Sequence, residues 1–193
     1  NLIPTCLIRN IEGDAVLTHP IVCKPKDGRS SQGLKYFEDE VSYQHFKETA
    51  ADNYLIQPKI EGSIVTVDIV RQPDGKKIVA IPRKELLRTL NGAGTSVYVY
   101  KDQSLCELCY KIADVLDING CVNFEFIQDG EGKYFFLECN PRFSGGIEFS
   151  CMVAYQCVRN HFTCFINGSI EDLSEYKETY IARKYEEYIT QQV

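Results

Sequence analysis

Short apolar runs punctuated by turn-forming residues dominate the first half of the chain. "TCLIRN" and "PIVCKP" have the length and residue types of strands, and "IEGDAVLTH" between them reads as a loop or a turn of helix. In "EDEVSYQHFKETA", Val41, His45, Phe46 and Thr49 recur at helical spacing behind acids, which a helix N-terminus favours. "NYLIQPKI", "SIVTVDIVRQ" and "KKIVAIPRK" are β-rich and joined by "EG" and "PDG", predicting an antiparallel meander. "QSLCELCYKIADVLDI" sets Leu105, Leu108, Cys109, Ile112, Val115 and Leu116 on one helical face, with Asn119-Gly120 as its stop. "CVNFEFIQ" and "KYFFLECN" predict a hairpin around "DGEG", and "SGGIEFSCMVAYQCVRNHFTCFING" a helix ending at Gly168. The tail "YKETYIARKYEEYI" suits helix or strand. Strands outnumber helices and the helices fall between groups of strands, so the expected class is α+β with antiparallel sheets.

Composition narrows the setting. A chain of 193 residues, 44% hydrophobic, can bury a substantial core. A net charge of -6 and a pI near 5.2 exclude a general nucleic-acid binder, so any bound anion must be held by a local cluster. The apolar runs are too short to span a bilayer, and the first residues lack the charged start and apolar stretch of a secretory signal. The nine cysteines are odd in number, irregularly spaced and set within apolar runs, as at Cys23, Cys121, Cys139 and Cys151. That pattern suits small core residues in a reducing cytoplasm. Cys106 and Cys109 form a CxxC inside a helical pattern, without the second pair that a zinc site needs.

The predicted hairpin carries the most specific chemistry. A four-residue loop from Asp129 to Gly132 pairs Gln128 with Lys133. Alternation then sets Asn123, Glu125, Glu138 and Asn140 on one face, with Val122, Phe124, Phe126, Phe135, Leu137 and Cys139 on the other. Two neighbouring carboxylates repel unless one is protonated or a cation lies between them. With an amide oxygen added they form a hard, all-oxygen donor set of the kind that holds Mg²⁺. Arg142 is placed to reach an anion on that metal, and "NPRFSGG" ends the strand with a proline and a glycine pair. An exposed sheet face with ordinary acids is the plainer reading of the same alternation.

Two further stretches point towards a phosphate ligand and a planar base. "CKPKDGRSSQG" puts Lys24 at the end of a strand, before a loop whose Gly28, Ser30, Ser31 and Gly33 can aim N–H and hydroxyl groups at an anion. Its spacing is not that of a Walker loop, and an ordinary hairpin turn has the same composition. In "IQPKIEG", Pro58 interrupts ladder hydrogen bonding, which frees neighbouring main-chain groups to bind something such as an adenine edge; an edge strand carrying a proline is the alternative.

In this order, "PIVCKPKDGRSSQG", "YLIQPKIEGSIVTVDIV" and "NGCVNFEFIQDGEGKYFFLECNPRFSGG" resemble the ATP-grasp family, and within it the ATP-binding domain of the carbamoyl phosphate synthase large subunit. The resemblance runs from about Pro4 to Gly168. It implies an ATP-grasp fold of two α+β lobes gripping ATP, with residues 1–58 as the small lobe bearing the glycine-rich loop and 59–193 as the large lobe bearing the metal and phosphate site. Lys24 resembles the basic group on the phosphates, Ser30, Ser31, Gln32 and Gly33 the loop over them, and Gln57, Pro58, Lys59 and Ile60 the adenine hinge. Glu125, Glu138 and Asn140 resemble ligands of Mg²⁺ or Mn²⁺. Arg142 is similar to the arginine on the transferred phosphoryl group, and Arg83 or Arg88 to one that binds the acceptor carboxylate. The implied chemistry is ATP-dependent ligation of a small-molecule carboxylate to an amine or similar nucleophile through an acyl phosphate, in the cytoplasm, without nucleic acid or membrane; a homodimer is compatible with it. Ile64 stands where relatives carry a ribose-binding glutamate, which keeps open a nucleotide-binding module without turnover. The chain starts where relatives are mid-protein, so a preceding N-terminal domain is the expected partner.

Overall fold

The computed structural model describes residues 1–8, 19–28, 31–50, 52–89, 92, 94–153, 155–166, 169–184, 186–187 and 189–191. In chain order the elements are β1 (Cys6–Leu7), β2 (Ile21–Pro25), β3 (Lys35–Phe37), α1 (Glu40–Thr49), β4 (Tyr54–Pro58), β5 (Ser63–Arg71) and β6 (Ile78–Arg88). There follow β7 (Gly94–Val99), α2 (Gln103–Val115), β8 (Gly120–Gln128), β9 (Tyr134–Asn140), α3 (Ile147–Val153), α4 (Cys157–Ile166) and β10 (Thr179–Ala182). The strands form a four-stranded sheet, β1-β4-β2-β3, and a six-stranded sheet, β10-β7-β6-β5-β8-β9. This is the α+β class that the periodicities predict.

The residues group into two compact units: Asn1–Ile64 with Leu90–Gly92 and Glu125–Cys139, and Val65–Thr89 with Ala93–Phe124 and Asn140–Val193. In the first, β2 pairs antiparallel with β3 and with β4, the latter from Ile21 opposite Pro58 to Pro25 opposite Tyr54. Helix α1 starts where the Asp39 carboxylate accepts the Ser42 N–H at 2.8 Å, an N-cap that satisfies an otherwise orphaned donor. Its Tyr43 joins Ile8, Ile21, Cys23 and Ile56 in the core, with Phe37, Phe46 and Tyr54 packed around them.

In the second unit β5, β6 and β7 form an antiparallel meander, and β10 pairs with the free side of β7. Helix α2 is capped by Asp102, which accepts from Leu105 N–H at 2.9 Å, and buries Leu105, Cys109 and Ala113. The CxxC thus serves packing: Cys109 is fully buried, and the Cys106 thiol, pushed up to about 11 by burial, lies 3.7 Å from the Ala80 carbonyl oxygen. Another core gathers Val70, Val79, Ile81, Val97, Val99, Phe149, Tyr155, Cys157 and Ile170. Among the described residues no helix is long and apolar enough to cross a membrane.

Four expectations change. Strand β4 leaves the predicted meander for the four-stranded sheet, and β7, a Gly-, Thr- and Ser-containing run, takes its place beside β6. The long helical stretch after "NPRFS" divides into α3 and α4 around the buried Tyr155, whose hydroxyl donates to the Glu171 carbonyl at 2.9 Å. The ambiguous tail resolves as strand β10 because the open edge of β7 satisfies its backbone groups. Helix α2 stops at Leu116 and Asp117, the latter at φ 46, and Gly120 opens β8 instead. Gly168 and nearly all of "IEGDAVLTH" lie outside the described residues.

Candidate nucleotide and metal site

The β8–β9 hairpin turns one residue tighter than predicted. Asp129 donates its backbone N–H to the Lys133 carbonyl at 3.1 Å, and Gly132, at φ 81, donates to the Asp129 carbonyl at 3.1 Å. This is a three-residue loop with a left-handed glycine, the conformation only glycine adopts without penalty. Asp129, not Gln128, therefore stands opposite Lys133. Phe126 meets Tyr134 and Phe136 edge-on, at ring separations of 6.2 and 5.4 Å, and Gln128 Nε2 donates to the Tyr134 hydroxyl at 3.0 Å. At this end of the hairpin Tyr134 and Phe136 share the side of Phe126, where alternation had placed Phe135. Continued without interruption, the same register faces Glu125 and Glu138 to opposite sides of the sheet, and only a one-residue bulge between the loop and the acids would bring them to one side.

Glu138 is exposed and Glu125 half-buried. Lys24, at the end of β2, is partly buried, and desolvation pulls its ammonium below the ordinary lysine value while the Glu138 carboxylate pulls it back up. The fold thus holds a half-desolvated cation within the electrostatic reach of an acid that is distant in sequence. Among the described residues no group of three or more His, Cys, Asp or Glu side chains is placed to hold a metal, so a metal here must draw on an amide oxygen or on its substrate.

The "QPKI" segment closes the β2–β4 ladder. Lys59 N–H donates to the Pro20 carbonyl at 2.8 Å, continuing the β2–β4 ladder. Because successive residues of an antiparallel strand turn their polar groups to alternate sides, the Pro58 carbonyl is directed away from β2, and an Ile60 N–H that continued the alternation would be too. An acceptor and a donor two residues apart on one side match the adjacent donor and acceptor of an adenine edge. Gln57 is buried, with Nε2 donating to Thr5 Oγ1 at 2.7 Å. Lys59 Nζ lies 2.8 Å from Glu61 and 3.4 Å from Glu38, which together hold its ammonium above the ordinary value.

Of the loop residues, Ser31, Gln32 and Gly33 are exposed, and Ser30 lies outside the described residues. Ser31 takes φ 58 and Gly33 φ 75. A side chain at Gly33 would meet Pro25 Cγ at 2.7 Å, so this glycine serves both conformation and space.

In the second unit, Arg142 folds back on Asn140: its backbone N–H reaches the Asn140 carbonyl at 2.7 Å and its Nη2 reaches Asn140 Oδ1 at 3.2 Å. Arg88 is exposed at the end of β6. Arg83 does not fit direct contact with an acceptor carboxylate. It is 1% exposed and already committed to Asp68, Ser144 and Ser150. Those three partners were missed in the sequence; the available signal was Asp68, a lone acid within the apolar run "IVTVDIV".

A family model described as "ATP-grasp in the biosynthetic pathway with Ter operon" matches residues 50–188. The D-alanine–D-alanine ligase of Aquifex aeolicus (strain VF5) is 32% identical over 146 residues, 67% of this chain and 49% of the relative. The chain spans about half the length of that curated relative. Among solved structures, biotin carboxylase from Campylobacter jejuni in a β,γ-ATP complex superposes with a TM-score of 0.73 at 15% identity, over 92% of this chain and 45% of that one. N5-carboxyaminoimidazole synthetase from Staphylococcus aureus gives 0.71 at 15% identity, over 88% and 48%. The biotin carboxylase domain of Hydrogenobacter thermophilus 2-oxoglutarate carboxylase, solved with MgADP, gives 0.72 at 16% identity, over 86% and 42%. At these identities the likeness is one of fold.

Proposed function

The chain belongs to the ATP-grasp family, and on that footing we propose that it is the ATP- and Mg²⁺-binding part of a ligase that activates a carboxylate for attack by an amine or similar nucleophile. Adenine binds edge-on at the hinge, accepting from Ile60 N–H and donating to the Pro58 carbonyl, while Lys24 and residues 30–33 hold the phosphates. Glu125, Glu138 and Asn140 hold Mg²⁺ or Mn²⁺, whose contribution is to neutralise charge on the phosphates. This reading requires the bulge that turns Glu125 and Glu138 to one side. Arg142 steadies the phosphoryl group while an acceptor carboxylate oxygen bonds to the γ-phosphorus and the bond to the ADP oxygen breaks. Arg88 binds that acceptor. The nucleophile then displaces phosphate from the acyl phosphate and loses a proton. No protein nucleophile is needed, which agrees with raised thiols such as the buried Cys23 and the half-buried Cys106.

The observation that carries the reading is the ATP-grasp match over residues 50–188, and a partly buried Lys24 in the field of Glu138 agrees with it. A partly buried ammonium in the field of a carboxylate suits a ligand carrying both negative oxygens and a cation. Calorimetry with a non-hydrolysable ATP analogue tests it: binding should tighten with Mg²⁺. Glu138→Ala should remove the Mg²⁺-dependent part and leave the melting temperature nearly unchanged, because Glu138 is exposed. Binding indifferent to Mg²⁺ in the unmodified chain would overturn the ligand assignment, and full Mg²⁺ dependence in Glu125→Ala would remove Glu125 and the bulge from it.

A second reading, nucleotide binding without turnover, draws on Ile64. This half-buried side chain cannot accept a hydrogen bond from a ribose hydroxyl. Mg²⁺-dependent binding without release of ADP in the presence of candidate carboxylates and amines would favour it.

A further inference from the structure

Arg83 sits in β6 with its guanidinium buried between β5, α3 and the loop that precedes α3. Nη1 pairs with the Asp68 carboxylate of β5 and donates to Ser150 Oγ of α3 at 3.3 Å, and Nη2 donates to Ser144 Oγ at 2.9 Å. Ser150 Oγ donates in turn to Asp68 Oδ2 at 2.7 Å. Glu85 Oε1 lies 3.4 Å from Nε. The arrangement is not optimised for stability alone, because Asp68 Oδ1, Arg83 Nε and Glu85 Oε2 are buried without hydrogen bonds. Apolar residues of similar volume commonly serve a core as well as a buried ion pair does. What the cluster holds is therefore as informative as what it stabilises.

It holds the segment that follows Arg142. Ser144, only two residues beyond, is the hydroxyl on Nη2, and each neighbour of Ser144 is tied down as well. The Phe143 ring packs edge-on against His161 at 4.9 Å. The Gly145 carbonyl accepts from Arg183, whose guanidinium lies 5.1 Å from the Phe149 ring centre. At Gly146 a side chain would meet the Phe149 ring at 2.9 Å and Arg83 Nη2 at 3.3 Å, so the missing side chain lets this strap lie close to the guanidinium. Arg142 also donates from Nη1 to the Phe143 carbonyl at 3.1 Å, which links its head group to the strap.

From this we infer that Arg83 is a positioning residue: through Ser144 it fixes residues 143–146 and so sets where Asn140 and Arg142 stand. The inference rests on the phosphoryl-binding role proposed for those two residues. Asp68 and Ser150 orient the guanidinium, and Ser144 transmits the constraint.

Ser144→Ala in the full chain tests it with less risk to folding than a change at Arg83. Hydrogen–deuterium exchange across residues 140–146 should quicken roughly tenfold on losing a hydrogen bond to a charged group. Affinity for an ATP analogue with Mg²⁺ should fall by about the same factor, while affinity without Mg²⁺ and the melting temperature change little. Ser144→Thr, which keeps the hydroxyl, should restore both. A lowered melting temperature with unchanged Mg²⁺-dependent affinity would reduce Arg83 to a structural role and overturn the inference. Should the unmodified chain bind no nucleotide, the proposed function fails, and exchange alone then decides the strap: quickening supports it, unchanged exchange overturns it.

Discussion

Asp68→Ala is expected to destabilise the protein by about 3–5 kcal/mol, the range for removing one partner of a buried ion pair. Asp68 is fully buried and Arg83 1% exposed, so the substitution strips the carboxylate from Nη1 and leaves Glu85, 3.4 Å from Nε, as the remaining acid on a buried guanidinium. Ser150 also loses the acceptor that its hydroxyl reaches at 2.7 Å. The penalty comes from the underpaired buried charge rather than from the lost attraction. A triple variant, Asp68→Leu with Arg83→Met and Glu85→Met, should therefore recover most of the loss, since it removes all three buried charges together. Urea denaturation of the single and triple variants gives the measurement. A single variant within about 1 kcal/mol of the parent would show that water reaches the guanidinium and that the pair is not a buried one.

The other large effect is expected at Gly62, just after the hinge. A Cβ built there stands 2.2 Å from the Gln128 carbonyl oxygen, 2.8 Å from its carbon and 2.8 Å from Ile127 Cγ2. The obstacle is backbone in β8, which cannot swing aside as the end of a flexible side chain can. Gly62→Ala should thus lie at or beyond the upper end of overpacking penalties, about 3 kcal/mol, and should weaken nucleotide binding by pushing Pro58–Ile60 out of line. Gly130→Ala is the matching control. Nothing lies within 4 Å of a Cβ at Gly130, and the change should stay within about 0.5 kcal/mol of the parent. Thermal melts and calorimetry of the two variants settle the comparison, and equal effects would refute the steric account.

The two sites differ in how readable they were. The strand end at the proposed hinge was visible in "QPKIEG" because a proline cannot donate to a ladder, and β4 does end at Pro58. Lys24 was visible at the close of an apolar strand. The hairpin was visible too, but not its register, because "DGEG" offers glycines at 130 and 132 and the choice between loops of three and four residues shifts every pair beyond. Strand β7 was hidden by its glycine, threonine and serine, which read locally as loop. The break between α3 and α4 was hidden because apolar residues continue at helical spacing across it. Arg83 read as a substrate ligand, since nothing local distinguishes an arginine facing a ligand from one facing a buried acid.

By itself the sequence determined the α+β class, the kind of most elements and the end of β4 at Pro58, because periodicity, capping acids and prolines act within a few residues of themselves. Only the tertiary structure decided which sheet β4 joins, how the hairpin is registered, and that Arg83 turns inward. Ser150 and Asp68, which share that guanidinium, are 82 positions apart. A buried charge is tolerable only where such distant groups arrive together, and their arrival depends on the packing of the whole unit rather than on any local pattern.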